Sequence, residues 1–458
     1  MVASFEGELN SWRCALARFG VRVFLSLLIT VVGFSTFTLG QSSPSKDQMP
    51  TLRRQQAREM LHNALEVLKK HYYDPTYHGV DMEARMKQAE ERLQAANSLS
   101  EAFGIVAWYL EPLKDSHTFF IPPSRPFEIQ RGWEAGFVGE KCYITAVQDG
   151  SDAAAQGVKP GDEILTMEGF QPTREMFWKM QYAFNALAPR SAMHLQLARP
   201  DGQTRQVLVK SKFLELSHRV DWDENTYWDL IRKLVSQEHE RRIRWVERGD
   251  LTIVKLPSFE FSDQKIDEML HDVNSHHNLV LDLRGNPGGY ENTLTHLTGA
   301  LFNHEVKIAD NIGRKDKKPL AAKSRGDHAF GGKIVVLVDA DSASCAEIFA
   351  RTIQLEKRGV VIGDRSSGSV MTARSYPYQG EMGEFDYDFQ VTMADVVMSD
   401  GKSLEHTGVT PDEMMLPTAA DLAAGRDPVL AHAVESLGGK LTPEEAGKMF
   451  PVIWHKPM

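Results

Sequence analysis

The sequence predicts a multidomain α/β protein: a helical N-terminal domain, a β-rich domain, and an α/β core built on a mainly parallel sheet. Three observations carry this reading. The chain has 458 residues, enough for about three units of ~150 residues each. Its 42% hydrophobic and 25% charged residues match a globular chain, so neither a disordered nor a fibrous protein fits. The apolar pattern also changes twice along the chain, from helical spacing to short alternation and then to alternating strands and helices. The formal charge of -10 opposes a polyphosphate partner and argues against nucleic acid. Of three cysteines, Cys14 lies in the N-terminal segment and Cys142 and Cys345 stand far apart, so no disulfide framework is implied.

Residues 1–40 read as a signal peptide or a membrane anchor. Arg13, Arg18 and Arg22 precede an apolar run from Val23 to Leu39, and a polar stretch follows. That order of positive, apolar and polar segments is that of an export signal, and about 17 apolar residues approach the length of a single membrane span. Either reading puts the bulk of the chain outside the cytoplasm, periplasmic or secreted.

Residues 50–127 form the helical domain. Leu61, Ala64, Leu65 and Leu68 fall at i, i+3, i+4 and i+7, one face of a helix, and a second charged helix follows Asp81. The domain closes at Asp115, Ser116, His117 and Thr118, a polar stretch before Phe119-Phe-Ile121 and the breakers Pro122 and Pro123. Residues 128–214 are short strands, among them 142–147 and 194–198, around Gly150 to Leu165. The order of Val147, Ala153 to Ala155, Gly157, Gly161-Asp162, Ile164-Leu165 and Gly169 resembles the PDZ domain. That resemblance implies binding of a C-terminal peptide as an added strand, with Gly136 and Phe137 in the loop that holds the terminal carboxylate. A PDZ fold serving only as scaffold or lid is the alternative. A helical linker over 215–246 leads to the core, 247–435, and a tail follows over 436–458. In the core, strands are expected at 251–254, 279–283, 333–338 and 360–362, with helices from Asp263, Asn292 and Ala343 between them.

Two core segments could carry chemistry. Leu279 to Gly289 runs a buried strand into a glycine-rich turn at the strand's carboxyl end, where α/β folds place ligands. It lacks the Gly-Lys-Ser/Thr of a phosphate loop, and bare amides there suit an oxyanion better. Ser344 sits where the strand ending at Val338 turns into a helix, facing backbone donors and a helix dipole. Ser344-x-x-Glu347 is equally a capping box, so spacing alone leaves nucleophile and helix cap both open.

Asp282-Leu-Arg-x-Asn-x-Gly-Gly289 followed by Ser342-Ala-Ser344-x-x-Glu347 resembles the C-terminal processing (tail-specific) serine peptidase family and its tricorn-type relatives. The resemblance extends from about Gln55 to Val434, including Leu256-Pro-Ser-Phe259 and Gly408-Val-x-Pro-Asp412. It implies a serine peptidase with Ser344 as nucleophile and Ser342 as a neighbour. One departure matters: where Ser/Lys members carry a lysine, this chain has Ser369, and no lysine occurs between Lys357 and Lys402. Arginine cannot substitute, because a guanidinium stays protonated. The tricorn-type branch uses Ser, His, Ser and Glu, and its pattern maps onto Ser116, His117, Ser344 and Glu405. Histidine suits the base role because its ordinary pKa of ~6.5 lets it accept and return a proton near neutrality.

The resemblance therefore implies that His117 is the general base, that Gly288 or Gly289 with the Cys345 amide holds the oxyanion, and that Ser116 and Glu405 orient the imidazole or the deacylating water. Protein or peptide substrates, chosen through free C-termini, are the implied partners. No cofactor is implied. No metal is expected, because His-Glu-x-x-His is absent and His276-His277 lack a third spaced ligand. The rival reading is a non-catalytic peptide-binding protein that lost the family lysine and kept the PDZ domain.

Overall fold

The computed structural model describes residues 49–125, 127–215, 242–379 and 386–454. The expected N-terminal signal or anchor and residues 216–241 of the expected linker fall outside these residues. Among the described residues no helix is long and apolar enough to cross a membrane.

Three helices open the described chain, α1 (Thr51–His71), α2 (Met82–Ala95) and α3 (Leu99–Leu110). Leu61, Ala64, Leu65 and Leu68 are buried, as their spacing requires. Asp81 caps α2 by accepting from the Ala84 amide, and Ser98 caps α3 by accepting from Glu101. The helices do not enclose a core of their own. Their buried cluster continues into Phe120, Tyr387, Phe389 and Val391, which belong to strands β1 (Phe119–Ile121) and β17 (Tyr387–Met398).

A two-stranded ribbon, β2 (Phe127–Gln130) against β8 (Lys212–Glu215), brackets the β-rich unit. Inside it, β3 (Trp133–Val138), β4 (Lys141–Val147), β5 (Glu163–Met167), β6 (Ala192–Ala198) and β7 (Thr204–Lys210) make one antiparallel sheet in that order, with β3 at an edge. Helix Arg174–Tyr182 packs on it through Phe177, whose ring meets Phe137 edge-on at 5.5 Å. The unit docks on the core through Arg174, which pairs with Asp364 at 3.0 Å, donates to the Gly139 carbonyl at 2.8 Å, and also donates to the Arg365 carbonyl. The side chains of both partners are less than a tenth exposed, and Asp364 accepts from the Gly139 amide as well. This satisfaction of the remaining polar groups is what makes a buried pair tolerable.

The core sheet runs β18 (Glu413–Met414), β15 (Val360–Gly363), β14 (Lys333–Val338), β11 (Asn278–Asp282), β10 (Leu251–Lys255), β9 (Arg244–Arg248), parallel except for the β9–β10 hairpin. Helices Asp263–Val273, Glu291–Gly299 and Cys345–Leu355 contribute to the main buried cluster on one face, and Pro428–Ser436 contributes to a second cluster on the other. Buried on both faces, β10, β11, β14 and β15 read as continuous apolar runs, and that made them legible.

Three expectations need correction. The core also holds a second, antiparallel sheet of β1, β17, β12 (Val306–Gly313) and β13 (Lys317–Ala322), with β16 (Met371–Tyr378) on β17. Arg244 to Arg248, expected at the end of a helical linker, pair with β10 as a strand. The segment expected as a tail joins the core, because Leu437, Leu441, Met449 and Phe450 pack against the cluster of helix Pro428–Ser436.

Candidate active site

Ser344 stands between β14 and helix Cys345–Leu355 with φ 52° and ψ -119°. Among the described residues six other Ser or Thr side chains cap helices: Ser98, Ser151, Thr173, Ser262, Thr418 and Thr442. All six are extended, with φ between -66° and -144°. Ser344 alone takes a positive φ, a strained conformation that survives only where the surroundings impose it. Its amide donates to the Ser369 carbonyl at 2.9 Å and to Glu347 Oε2 at 3.0 Å. Gly288 presses on it from the other side. A Cβ at 288 would lie 2.6 Å from Ser344 Cβ and 2.9 Å from the Cys345 nitrogen, so the approach requires glycine. A sharp strand-to-helix turn of this kind presents a serine hydroxyl to a reaction cavity. Ser342 differs: fully buried, it donates to the Leu283 carbonyl and accepts from Asp339 N.

His117 comes to the cavity that Ser344 lines because β1, two residues on, pairs antiparallel with β17, Phe119 opposite Gln390. Asp115 anchors the loop. Its Oδ1 accepts from the His117 amide and the Thr392 hydroxyl, and its Oδ2 from the Tyr72 hydroxyl at 2.7 Å. The Ser116 hydroxyl lies 2.6 Å from His117 Nδ1 and donates to Glu405 Oε2 at 2.9 Å, while the Ser116 amide donates to Glu405 Oε1 at 2.8 Å. A hydroxyl has one proton. Having given it to Glu405, Ser116 must accept from Nδ1–H, which leaves the lone pair on Nε2. Glu405 also accepts from the Val370 amide at 2.7 Å. Burial pushes the Glu405 carboxyl up against the pull of these donors, and pushes the His117 imidazole down to about 4, with Asp115 opposing. A neutral imidazole with a fixed tautomer is therefore the form present at neutral pH.

The segment in the place of the family lysine is bound to Glu347. This buried carboxylate accepts from Ser366 Oγ at 2.5 Å, from the amides of Gly368 at 2.7 Å and Ser369 at 2.9 Å, and from Ser344 N. Burial raises its carboxyl to about 7 against those donors. In the sequence Glu347 looked like half of a capping box. The structure adds that one carboxylate holds both the turn at Ser344 and the loop at 366–369. Asp115 and Glu347 were the residues missed as site-builders: Asp115 signalled itself only by standing next to Ser116-His117, and Glu347 only as the last residue of the serine motif, where it reads as a cap.

Of the expected oxyanion donors, the Gly288 amide is taken by Asn286 Oδ1 at 2.8 Å, which turns that role toward the amides of Gly289 and Cys345. The Cys345 thiol is buried, donates to the Gly289 carbonyl at 3.2 Å, and is pushed up to about 12 by burial. It is no nucleophile at neutral pH. Gly136 and Phe137 lie inside β3, paired with Tyr143 and Cys142, and not in a loop before it. The positive-φ turn that precedes the strand is at Gly132.

Ser344, His117 and Ser116 line one cavity of about 150 Å³, joined by Ser367, Ser369, Asp341, Arg174 and aromatic residues of the β-rich unit. No lysine lines it. A larger cavity of about 410 Å³, between the unit and the carboxyl ends of β11, β14 and β15, shares Phe137, Phe177, Gln181, Pro287 and Asp341 with the first. Among the described residues no group of three or more His, Cys, Asp or Glu side chains is placed to hold a metal ion.

A strained serine thus lines one cavity with the Ser116–His117 pair that Glu405 holds, on an α/β core, and the comparisons point to one kind of protein: residues 250–415 match Peptidase family S41, and residues 53–106 match the Tricorn protease C1 domain. Over these two segments the chain is similar to S41 peptidases and to the tricorn protease. Among its relatives are a carboxy-terminal-processing protease of Bartonella bacilliformis, 28% identical over 42% of this chain and 45% of that protein, and a tricorn protease homolog of Streptomyces coelicolor, 23% identical over 82% and 32%. A CtpA-like serine protease of Staphylococcus epidermidis is 21% identical over 88% of this chain and 73% of that one. The chain spans less than half the length of the first two. In fold it is similar to mature CPAF complexed with lactacystin, with a TM-score of 0.60, 16% identity, and coverage of 85% of this chain and 98% of that one.

Proposed function

We propose that this protein is a serine endopeptidase that cleaves proteins or peptides outside the cytoplasm through an acyl-enzyme on Ser344. His117 Nε2 takes the Ser344 Oγ proton as Oγ bonds to the scissile carbonyl carbon. The carbonyl electron pair moves onto oxygen, where the Gly289 and Cys345 amides receive it. Collapse breaks the C–N bond, and His117 returns the proton to the leaving amine. Water then repeats the sequence on the ester. Glu405 and Ser116 hold the imidazole tautomer and stabilise the imidazolium.

The observation that carries this reading is the fixed chain from Glu405 through Ser116 to His117 on the cavity that Ser344 lines. The β-rich unit is read as a PDZ-type module that offers edge strand β3 to an extended peptide. The export reading of residues 1–40 supports action beyond the membrane. A fluorophosphonate probe tests the chemistry. Labelling is expected at Ser344 and lost in Ser344→Ala, together with cleavage of denatured casein. A protein that binds peptides yet neither labels nor cleaves would leave the non-catalytic reading instead.

A further inference from the structure

The catalytic cavity has an uneven lining. Phe119, Phe137, Phe177, Trp178 and Tyr182 supply aromatic walls, and Asp341 is the single carboxylate among the lining residues. Asp341 lies three residues before Ser344, on the loop that leaves β14, and its side chain is open to the cavity. Its Oδ2 is 3.0 Å from where a Cβ on Gly136 would sit, so it lies directly against the edge strand of the β-rich unit. Among the described residues no cation pairs with it. The guanidinium that lines the cavity, Arg174, is engaged by Asp364 and two backbone carbonyls. Enclosure by the cavity walls, with Asp339 and Asp364 alongside and Arg174 opposing, pushes the Asp341 carboxyl up to about 7. Crowding among these aspartates is relieved by an arriving positive charge and worsened by a negative one.

We propose that Asp341 is a specificity-determining residue, making the substrate a peptide with a lysine or arginine side chain beside the scissile bond. The inference rests on the peptidase reading above and names its substrate class. A basic side chain has an apolar stem and a charged head. The aromatic walls receive the stem and attract the cation through their faces, and Asp341 accepts from the head in a partly desolvated site, where charge-assisted hydrogen bonds are strongest. The volume suits one side chain, well below the ~300 Å³ or more of a pocket for a whole small molecule. The same carboxylate disfavours acidic residues, and a free terminal carboxylate at Gly136, by like-charge repulsion. This bears against the carboxylate-binding role expected for Gly136 and Phe137.

The test uses the full chain and two readouts. Benzamidine and its uncharged counterpart benzamide are titrated calorimetrically, and cut sites in denatured casein are mapped by mass spectrometry. Wild type should prefer benzamidine at least about tenfold and cut beside Lys or Arg. Asp341→Asn should lose both preferences, and Asp341→Glu, which keeps the charge, should retain them. Equal binding of the two probes by wild type overturns the inference, as does an Asp341→Asn variant that keeps the preference. A protein that prefers benzamidine through Asp341 but cleaves nothing would sink the peptidase reading while leaving the cation site standing.

Discussion

Replacing Ser116 by alanine removes one oxygen and separates two ways of building the site. That hydroxyl accepts from His117 Nδ1 at 2.6 Å and donates to Glu405 Oε2 at 2.9 Å. Without it, the imidazolium formed during acylation loses its partner in a buried position, and the neutral ring is free to carry its proton on Nε2, the nitrogen that must act as base. A hydrogen bond to a charged group contributes about 1.5–3 kcal/mol, which converts to a loss of about 10- to 200-fold in rate. The tautomer effect adds to that. Because Ser116 holds the base and not the substrate, kcat should fall while KM changes little. Steady-state cleavage of a fluorogenic peptide measures both, and circular dichroism checks the fold. Activity within about twofold of wild type would refute the relay and return Ser116 to an ordinary loop serine.

Four further outcomes are expected. Gly288→Ala should reduce cleavage by about 100-fold or more, because its Cβ meets Ser344 Cβ at 2.6 Å and φ is +96° there, whereas Gly331→Ala, with open space around it, should be neutral. The acid limb of kcat/KM should fall near pH 4 to 5, below the ordinary histidine range, because burial lowers His117 to about 4; a limb at 6.5 would show that the ring is better solvated than its surroundings imply. The same shift sets a stability trend: the unfolded chain takes the His117 proton first, so stability falls as pH drops from about 6.5 to about 4, by up to ~3 kcal/mol, read as a fall in Tm that His117→Ala should lack. Arg174→Ala should cost about 3–5 kcal/mol by leaving Asp364 charged and buried, and should raise KM if the β-rich unit contributes a wall to the substrate cavity, both readable by thermal melts and steady-state kinetics.

The parts of this molecule legible in its sequence were those that depend on neighbours along the chain. Lys333 to Val338 is a strand because five successive residues, Ile334 to Val338, suit burial on both faces, and helix Asp263–Val273 follows a serine cap with its apolar residues on one side. The antiparallel sheet was not legible. β1 has three residues, and its partner lies some 270 residues further on, so no local pattern announces the pairing. That pairing is also what carries His117 to the cavity that Ser344 lines, which explains why the site could be read only from the order of motifs and not from spacing. Asp341 was in plain view beside Ser344. Its meaning depends on Gly136 and the aromatic residues of the β-rich unit, which only folding brings against it.

The ribbon of β2 and β8 has a consequence for how such a chain could arise. Because the two strands lie side by side, the β-rich unit begins and ends at nearly one point, with Phe127 opposite Glu215. Removing everything between them would leave the host with a gap no wider than a hairpin turn, and a different module with adjoining ends would fit the same junction without rethreading any other strand. The cavity, by contrast, draws walls from both sides of that junction. Exchange of the module would thus preserve the bond-breaking chemistry of the host while changing which side chains are admitted to it.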